Sequence, residues 1–367
     1  MNRRRSDRFF FFATALLVVV GLLVFASASL GLLSRSGATF TSVAFSQLFL
    51  GLFLGGVALL VTSNISYRFW RRYSFPLFLL SVLASIAVFI PGLGLPHGGA
   101  TRWLSIGSFS FQPAEFLKFG SVVYISALLS SLRREMHSIP SMIPLLIAIG
   151  IVALVLIAQP DTGTLIVILA VSFLLFFVGG GRWLHIFYLT LIAAVLFSAL
   201  IYFKPYLKDR IMTFLDPARD PSGSSWQVQQ SLNAIGSGEI FGRGFGQSIQ
   251  KFQYLPEPIG DSIFAVAAEE FGFVGSVGIL LLFAFFCARG MQIAARSPDY
   301  FSGLLVLGLV ILITFQSLIN IASMLGVFPL TGLPLLFMSH GGTALFFSLL
   351  EVGIILNVSK SMKRKHA

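Results

Sequence analysis

Apolar runs of about membrane-crossing length follow one another along almost the whole chain, separated by short polar breaks. A bilayer core needs roughly 20 apolar residues per helix. On that rule, spans are predicted near residues 9–33, 46–63, 74–92, 113–131, 139–158, 163–180, 183–203, 262–288, 301–323 and 341–358. The pattern is that of an all-α polytopic membrane protein with about ten transmembrane helices, read as a single domain over residues 1–367. One interval breaks it. Residues 204–261 form the only long polar segment, between the seventh and eighth runs, and it ends at Asp261 just before the chain turns apolar again. Within it, Gln227 to Ile235 reads as a short amphipathic helix lying at the interface. In the second run, Gly51 and Gly55 make a GxxxG, a pattern of close helix packing.

Composition supports this reading. The 367 residues are 56% hydrophobic and 11% charged, against about 25% charged in soluble domains. A net charge of +11 would suggest nucleic acid in a soluble protein. Here the basic residues cluster in short loops between spans, which is the pattern of orientation signals and anionic-lipid contacts and argues against nucleic acid. With the N-terminus inside, the cytoplasmic segments collect 16 of the 25 basic residues, from Arg3, Arg4, Arg5 and Arg8 to Lys363, Arg364 and Lys365. The short outer segments hold only Arg35 and Arg102. Long loops translocate largely regardless of charge, so both termini are expected in the cytoplasm and the long loop outside. The start of the chain, Arg3 to Arg8 and an apolar run ending in Ala26-Ser27-Ala28, resembles a secretory signal. Such apolar regions are about 7–15 residues long. This one is longer, so a retained first span is expected. The single cysteine, Cys287, excludes an intrachain disulfide.

Charges inside a span are costly and usually face a bundle interior or a wet cavity. Glu115 and Lys118 stand three apart at the start of the fourth span and can pair, either as a helix-joining ion pair or as part of a site. Glu269 and Glu270 are adjacent, so they point about 100° apart and only one faces any given partner. Glu351, mid-way along the tenth span, must find a partner in space or be protonated. Asp161 lies in a short outer turn, as an N-cap for the sixth span or as a functional acid. Arg102, beside Trp103, is an interfacial anchor or a fork for phosphate oxygens. In the long loop, Asp216-Pro217 and Asp220-Pro221 read as turn formers. The glycines around Glu239 and Arg243 lack a P-loop's Gly-Lys-Ser/Thr and read as letting the backbone fold tightly against the membrane surface. Asp261 begins the eighth span, where partial desolvation raises a carboxylate toward the range of a general base, with a helix N-cap as the alternative.

These segments together resemble the SEDS family of bacterial cell-wall polymerases, over nearly the whole chain and in order. The matching stretches are Gly99-Ala100-Thr101-Arg102-Trp103, Gln112-Pro113-Ala114-Glu115-Phe116-Leu117-Lys118 and Gln159-Pro160-Asp161-Thr162-Gly163-Thr164. Next come Gln230-Ser231-Leu232-Asn233-Ala234-Ile235-Gly236-Ser237-Gly238, Leu255-Pro256-Glu257 and Asp261 to Gly275. The last are Gly332-Leu333-Pro334 and Ser339-His340-Gly341-Gly342. The stretch from Gln247 to Phe252 is more similar to the division branch, FtsW, than to the elongation branch, RodA. The resemblance implies a glycosyltransferase that polymerises lipid II into peptidoglycan during septal synthesis, with Asp261 as general base. It implies a substrate path drawn from Arg102, Gln112, Glu115, Lys118, Asp161, Gln230, Ser231, Lys251, Ser339 and His340. Arg102, Lys118 or a divalent cation, Mg or Mn, would stabilise the departing diphosphate. It further implies location in the bacterial cytoplasmic membrane at the division septum. The implied partners are lipid II and the growing glycan, a class B penicillin-binding protein, divisome proteins and membrane lipids. Two departures stand out. Gly260 and Ser262 flank Asp261 where the family has Thr and Phe, and His340 replaces a tyrosine, as a titrating group or a substitute stacking ring. A lipid II flippase and a RodA-like polymerase are the alternatives. A mere scaffold would leave Asp261 without a role.

Overall fold

A computed structural model describes residues 6–33, 37–97, 100–106, 109–134, 142–216 and 225–362. Arg3, Arg4, Arg5, Arg35, Gly99, Pro217, Asp220-Pro221, Lys363, Arg364 and Lys365, all used in the sequence reading, lie outside the described residues.

The elements run α1 (Arg8–Leu33), α2 (Gly37–Phe45), a π-helical segment (Ser46–Leu54), α3 (Gly55–Asn64), α4 (Tyr67–Arg72) and α5 (Ser74–Ile86). Strands β1 (Gly94–His97), β2 (Ala100–Ile106) and β3 (Phe109–Phe111) follow. Then come α6 (Pro113–Ser131), α7 (Ile143–Ala158), α8 (Thr162–Val178), α9 (Trp183–Phe203), α10 (Pro205–Leu215), α11 (Trp226–Ser237), α12 (Gln250–Gln253), α13 (Ile263–Ala295), α14 (Tyr300–Met324) and α15 (Gly342–Ser359). Among the described residues, six helical segments are long and apolar enough to cross a membrane: Arg8–Gly31, Phe40–Asn64, Trp183–Phe203, Ile263–Ala295, Tyr300–Met324 and Gly342–Ser359. The predicted runs at 74–92, 139–158 and 163–180 fall on the shorter apolar helices Ser74–Phe89, Ile143–Ala158 and Thr162–Val178. The predicted run at 113–131 falls on α6, which carries the buried Glu115 and Lys118.

The all-α expectation needs one addition. The loop before α6 folds into an antiparallel meander, with Gly94 opposite Leu104 and Leu104 opposite Phe111. Thr101, Trp103, Ile106, Phe109 and Phe111 are β-branched or aromatic types that suit strands.

α14 and α15 form the centre, 78% and 83% buried along their apolar windows, whereas α9 is only 6% buried and lies at the periphery. Packing around them runs through Phe10 against Phe286 at 4.7 Å and Phe116 stacked on Phe347 at 5.6 Å. The GxxxG in the second run works as expected. Cβ atoms at Gly51 and Gly55 would press on Leu345 at 3.0 Å and Leu349 at 2.9 Å, so both glycines let this helix lie close on α15.

α13 breaks at Gly272, whose φ of 66° is open to glycine and strained for other residues. The break frees two carbonyls and two amides that a regular helix would pair. The glycine-rich loop takes all four. Arg243 N and Gly244 N donate to the Glu269 and Glu270 carbonyls at 3.0 Å each, and Phe273 N and Val274 N donate to the Glu239 and Ile240 carbonyls at 2.9 and 3.1 Å. The glycine-rich stretch, expected to fold against the membrane surface, packs onto a broken helix.

Asp7 joins the two chain ends. Its backbone N donates to Ser359 Oγ at 2.9 Å, and its carboxylate pairs with Arg289 Nη2 at 2.6 Å. The N-terminal end of α1 and the C-terminal end of α15 thus lie on the same side of the bundle. The meander, the α7–α8 turn, α10, α11 and Asp261 lie at the opposite end, as the alternation of the helices requires.

Candidate active site

Four segments converge on Asp261. The first is its own turn: the Glu257 carbonyl accepts from Gly260 N at 3.0 Å and Ser262 N at 3.2 Å. The second is the segment 331–341 between α14 and α15. Ser339 Oγ donates to the Gly260 carbonyl at 2.7 Å, and His340 N donates to the Ile259 carbonyl at 2.7 Å. Asn320 Nδ2, from α14, clamps the Asp261 and Leu333 carbonyls at 2.8 Å each. The third is α10, which brings Arg210. Gly332, at φ 72°, faces both groups: a Cβ there would stand 3.6 Å from Asp261 Oδ2 and 3.8 Å from Arg210 Nη2. The fourth is β2, which brings Arg102 within electrostatic reach of both Asp261 and Arg210.

Asp261 is half-buried. Burial pushes its carboxyl up to about 6, and the charge of Glu257 adds to this, against the pull of Arg210 and Arg102. Burial likewise lowers Arg210, and the like charge of Arg102 lowers it further. The site therefore holds two guanidinium groups and a carboxyl poised near neutrality at the mouth of the bundle. That arrangement suits binding an anion and accepting a proton.

The other predicted residues divide by position. Asp161 is an N-cap: its oxygens accept from Thr164 N at 3.2 Å and Thr164 Oγ1 at 2.9 Å. It also lies close to the cluster, within reach of Tyr206 and Arg210. Arg102 Nε donates to the Gln159 carbonyl at 3.2 Å and Nη2 donates to the Pro160 carbonyl, which fixes the guanidinium beside Asp161. Glu115 and Lys118 form the expected ion pair at 2.8 Å, and Lys118 also donates to Gln316 Oε1. Gln316 Nε2 reaches the Pro334 carbonyl at 3.3 Å, so this buried pair braces the segment that holds Asp261. Glu351 lies within electrostatic reach of Lys118 and Glu115. His340 stacks on Phe25 at 6.4 Å between centroids, and burial lowers its imidazole to about 4. The ring contact fits the stacking alternative.

Four predicted residues stand apart from the cluster in their contacts. The Gln112 backbone N contacts Thr343 Oγ1 at 3.4 Å at the start of α6. Ser231 is fully buried, bonded to the Gln227 carbonyl at 2.8 Å and Met324 Sδ at 3.3 Å, and Gln230 beside it is buried as well. Lys251 is fully buried, and its ammonium is committed to Glu270 Oε1 at 2.7 Å, Ser27 Oγ at 2.9 Å and the Gly246 carbonyl at 2.9 Å. Glu269 accepts from Ser248 Oγ, Ile249 N and Gln250 N at the start of α12. The expectation that only one glutamate faces a given partner does not hold at Ser248, whose N donates to Glu270 Oε1 at 3.4 Å while its Oγ donates to Glu269 Oε2; both glutamates anchor the long loop.

Sequence reasoning missed Arg210, Tyr206, Gln227, Asn320 and Gln47. A signal existed for the first two: Pro205 opens a helix in which Tyr206 and Arg210 stand four apart on one face. Gln227 Nε2 donates to Ser262 Oγ at 3.1 Å, which gives the unusual serine after Asp261 a structural partner. Among the described residues, no group of three or more His, Cys, Asp or Glu side chains is placed to hold a metal ion. Arg102 and Arg210 supply the positive charge beside these carboxylates.

A family model covering FtsW, RodA and SpoVE, described as a cell cycle protein, matches residues 7–364. Stage V sporulation protein E of Bacillus subtilis (strain 168) is 38% identical over 349 residues, 95% of each chain. A probable peptidoglycan glycosyltransferase FtsW of Trichlorobacter lovleyi is 36% identical over 315 residues, 84% of this chain and 82% of its own. Among solved structures, a chain of a peptidoglycan synthase complex, described for its structural coordination of polymerization and crosslinking, superposes with a TM-score of 0.79 at 28% identity, covering 97% of this chain and 98% of its own. An aspartate-to-alanine mutant of the Thermus thermophilus rod shape determining protein RodA superposes with a TM-score of 0.71 at 26% identity, covering 98% of this chain and 99% of its own.

Proposed function

The chain belongs to the FtsW/RodA/SpoVE family and is a multi-pass membrane peptidoglycan glycosyltransferase; from that premise we propose that Asp261 is its general base in septal polymerisation of lipid II. The observation that carries this reading is the half-buried Asp261 carboxyl, raised to about 6 and set against Arg210 and Arg102. A base works best when its pKa lies near the operating pH. Asp261 takes the proton of a sugar 4-hydroxyl as that oxygen attacks the anomeric carbon of the second substrate. The anomeric C–O bond to the lipid diphosphate breaks, and the diphosphate leaves carrying the electron pair. Arg210 and Arg102 supply positive charge beside the breaking bond, where preorganised donors contribute most. The site's place at a bundle mouth supports access for sugars from water and for prenyl tails from the surrounding lipid. The FtsW names among the relatives support the septal assignment, and the synthase-complex neighbour supports a class B penicillin-binding partner that crosslinks the strands.

The test is the full chain with lipid II, with and without that partner, assayed for glycan strands. Parent protein is expected to polymerise and Asp261→Asn to yield none. Strand synthesis by Asp261→Asn at the parent's rate removes the base assignment.

A further inference from the structure

Span two carries an irregularity that the catalytic residues do not account for. Its middle, Ser46–Leu54, is π-helical. Such windings are rare and concentrate at functional sites, because the wider turn redirects side chains. The residue it redirects is Gln47, a primary amide that is fully buried in an apolar span. Both of its functions are used on one target. Nε2 donates to the Ser339 carbonyl at 3.2 Å, and Oε1 accepts from Gly341 N at 3.0 Å. Gly51, Gly55 and Gly342 allow the close approach that makes this reach possible: a Cβ on Gly342 would stand 2.6 Å from the Ser46 carbonyl.

The target is the turn that holds Asp261 from behind. Ser339 Oγ accepts from Leu335 N at 2.8 Å while donating to the Gly260 carbonyl, and His340 N, between the two residues Gln47 grips, donates to the Ile259 carbonyl. A continuous run of hydrogen bonds therefore leads from Gln47 through residues 339–341 to residues 259 and 260, next to Asp261.

We infer that Gln47 is a positioning residue for the catalytic carboxylate, acting through the Ser339–Gly341 turn and set in place by the π-helical winding of span two. The inference rests on Asp261 being the base. Asp261 is faced by Glu257 from its own turn, Arg210 from α10 and Arg102 from β2, with His340 behind the turn. Gln47 carries no charge, so its influence on titration runs through the fit of the turn and the water that a looser turn admits.

The experiment is lipid II polymerisation by the full chain, with kcat and KM measured across the acid limb of the pH profile. Gln47→Met keeps the volume and removes both hydrogen-bonding functions. It is expected to lower kcat about tenfold or more, to leave KM within about twofold, and to shift the acid limb down toward the ordinary carboxylate range as water reaches Asp261. Thr62→Val is the control. It removes a bond of 3.0 Å from the same span to the Leu350 carbonyl, midway along α15 and away from the Ser339–Gly341 turn, and is expected to leave the limb where it is. An unchanged profile in Gln47→Met overturns the inference, as does an equal kcat loss in both variants with the limb unmoved. If Gln47→Met does not give a monodisperse chain, Ser339→Ala breaks the next link and carries the same expectation and the same refutation. Failure of the base assignment is read separately, as synthesis by Asp261→Asn or a parent profile with no acid limb near 6.

Discussion

At the residue scale, Asp261 is held in place by backbone contacts and tuned by charge. Gly260, Asp261 and Ile259 are fixed through their carbonyls by Ser339, Asn320 and His340, which leaves the carboxyl for chemistry. This explains how the flanking residues can depart from the family pattern, since the turn is held by backbone and by the bond between Ser262 and Gln227. Two predictions belong here. Glu257 raises Asp261 by charge, so Glu257→Gln is expected to move the acid limb of polymerisation downward; a limb that stays put or rises counts against this electrostatic account. The second concerns stability. A carboxyl raised from 3.8 to about 6 in the folded state costs the fold nothing below its unfolded value and the full amount above about 6. Asp261→Asn is therefore expected to stabilise the protein by on the order of 2 kcal/mol near pH 8 and not near pH 4, read from thermal unfolding in detergent at both values. His340 and Asp161 were each legible as two alternatives in the sequence. The contact with Phe25 fits the stacking alternative for the first, and the bond to Thr164 fits the N-cap alternative for the second.

At the element scale, the long loop is structured by what it packs on. α11 appears where the sequence pattern placed an amphipathic helix, at Trp226–Ser237. The glycine-rich stretch beyond it pairs with the broken turn of α13, and Lys251 ties the same region to Glu270 and Ser27. Removing one member of a buried charge pair leaves the other uncompensated, at a cost of about 3–5 kcal/mol. Lys251→Met is expected to destabilise by that order, and Lys251→Met with Glu270→Gln by clearly less, measured as unfolding temperature in one detergent. Equal losses in the single and double variants would show that the pair is not the anchor. The family resemblance offered Lys251 as a substrate contact. Nothing local in the sequence around it reveals that Glu270, nineteen positions along, turns back to meet it.

At the scale of the whole molecule, the bundle separates its charges by end. Arg289 with Asp7, Arg133 over Tyr300 and Lys360 with Ser63 lie at the end that carries the termini, and the Asp261 cluster lies at the other. If that first end is cytoplasmic, a cysteine at Arg134 in a Cys287→Ser background is expected to resist a membrane-impermeant maleimide in intact cells, and one at Leu215 to react; the reverse labelling would invert the proposed orientation. Hydropathy alone determined the membrane class, the order of the apolar segments and the position of the one long polar loop, because the cost of burying unpaired backbone and charge in lipid acts on each segment locally. It also placed Asp261 at a membrane boundary. What only the tertiary structure decided is which polar groups meet: Arg210 with Asp261 across Gly332, Lys118 with Gln316, and Gln47 with the turn behind the catalytic residue. Those contacts join segments far apart in the chain, and in a bundle the partner of a buried polar side chain is set by how helices pack rather than by its neighbours in sequence.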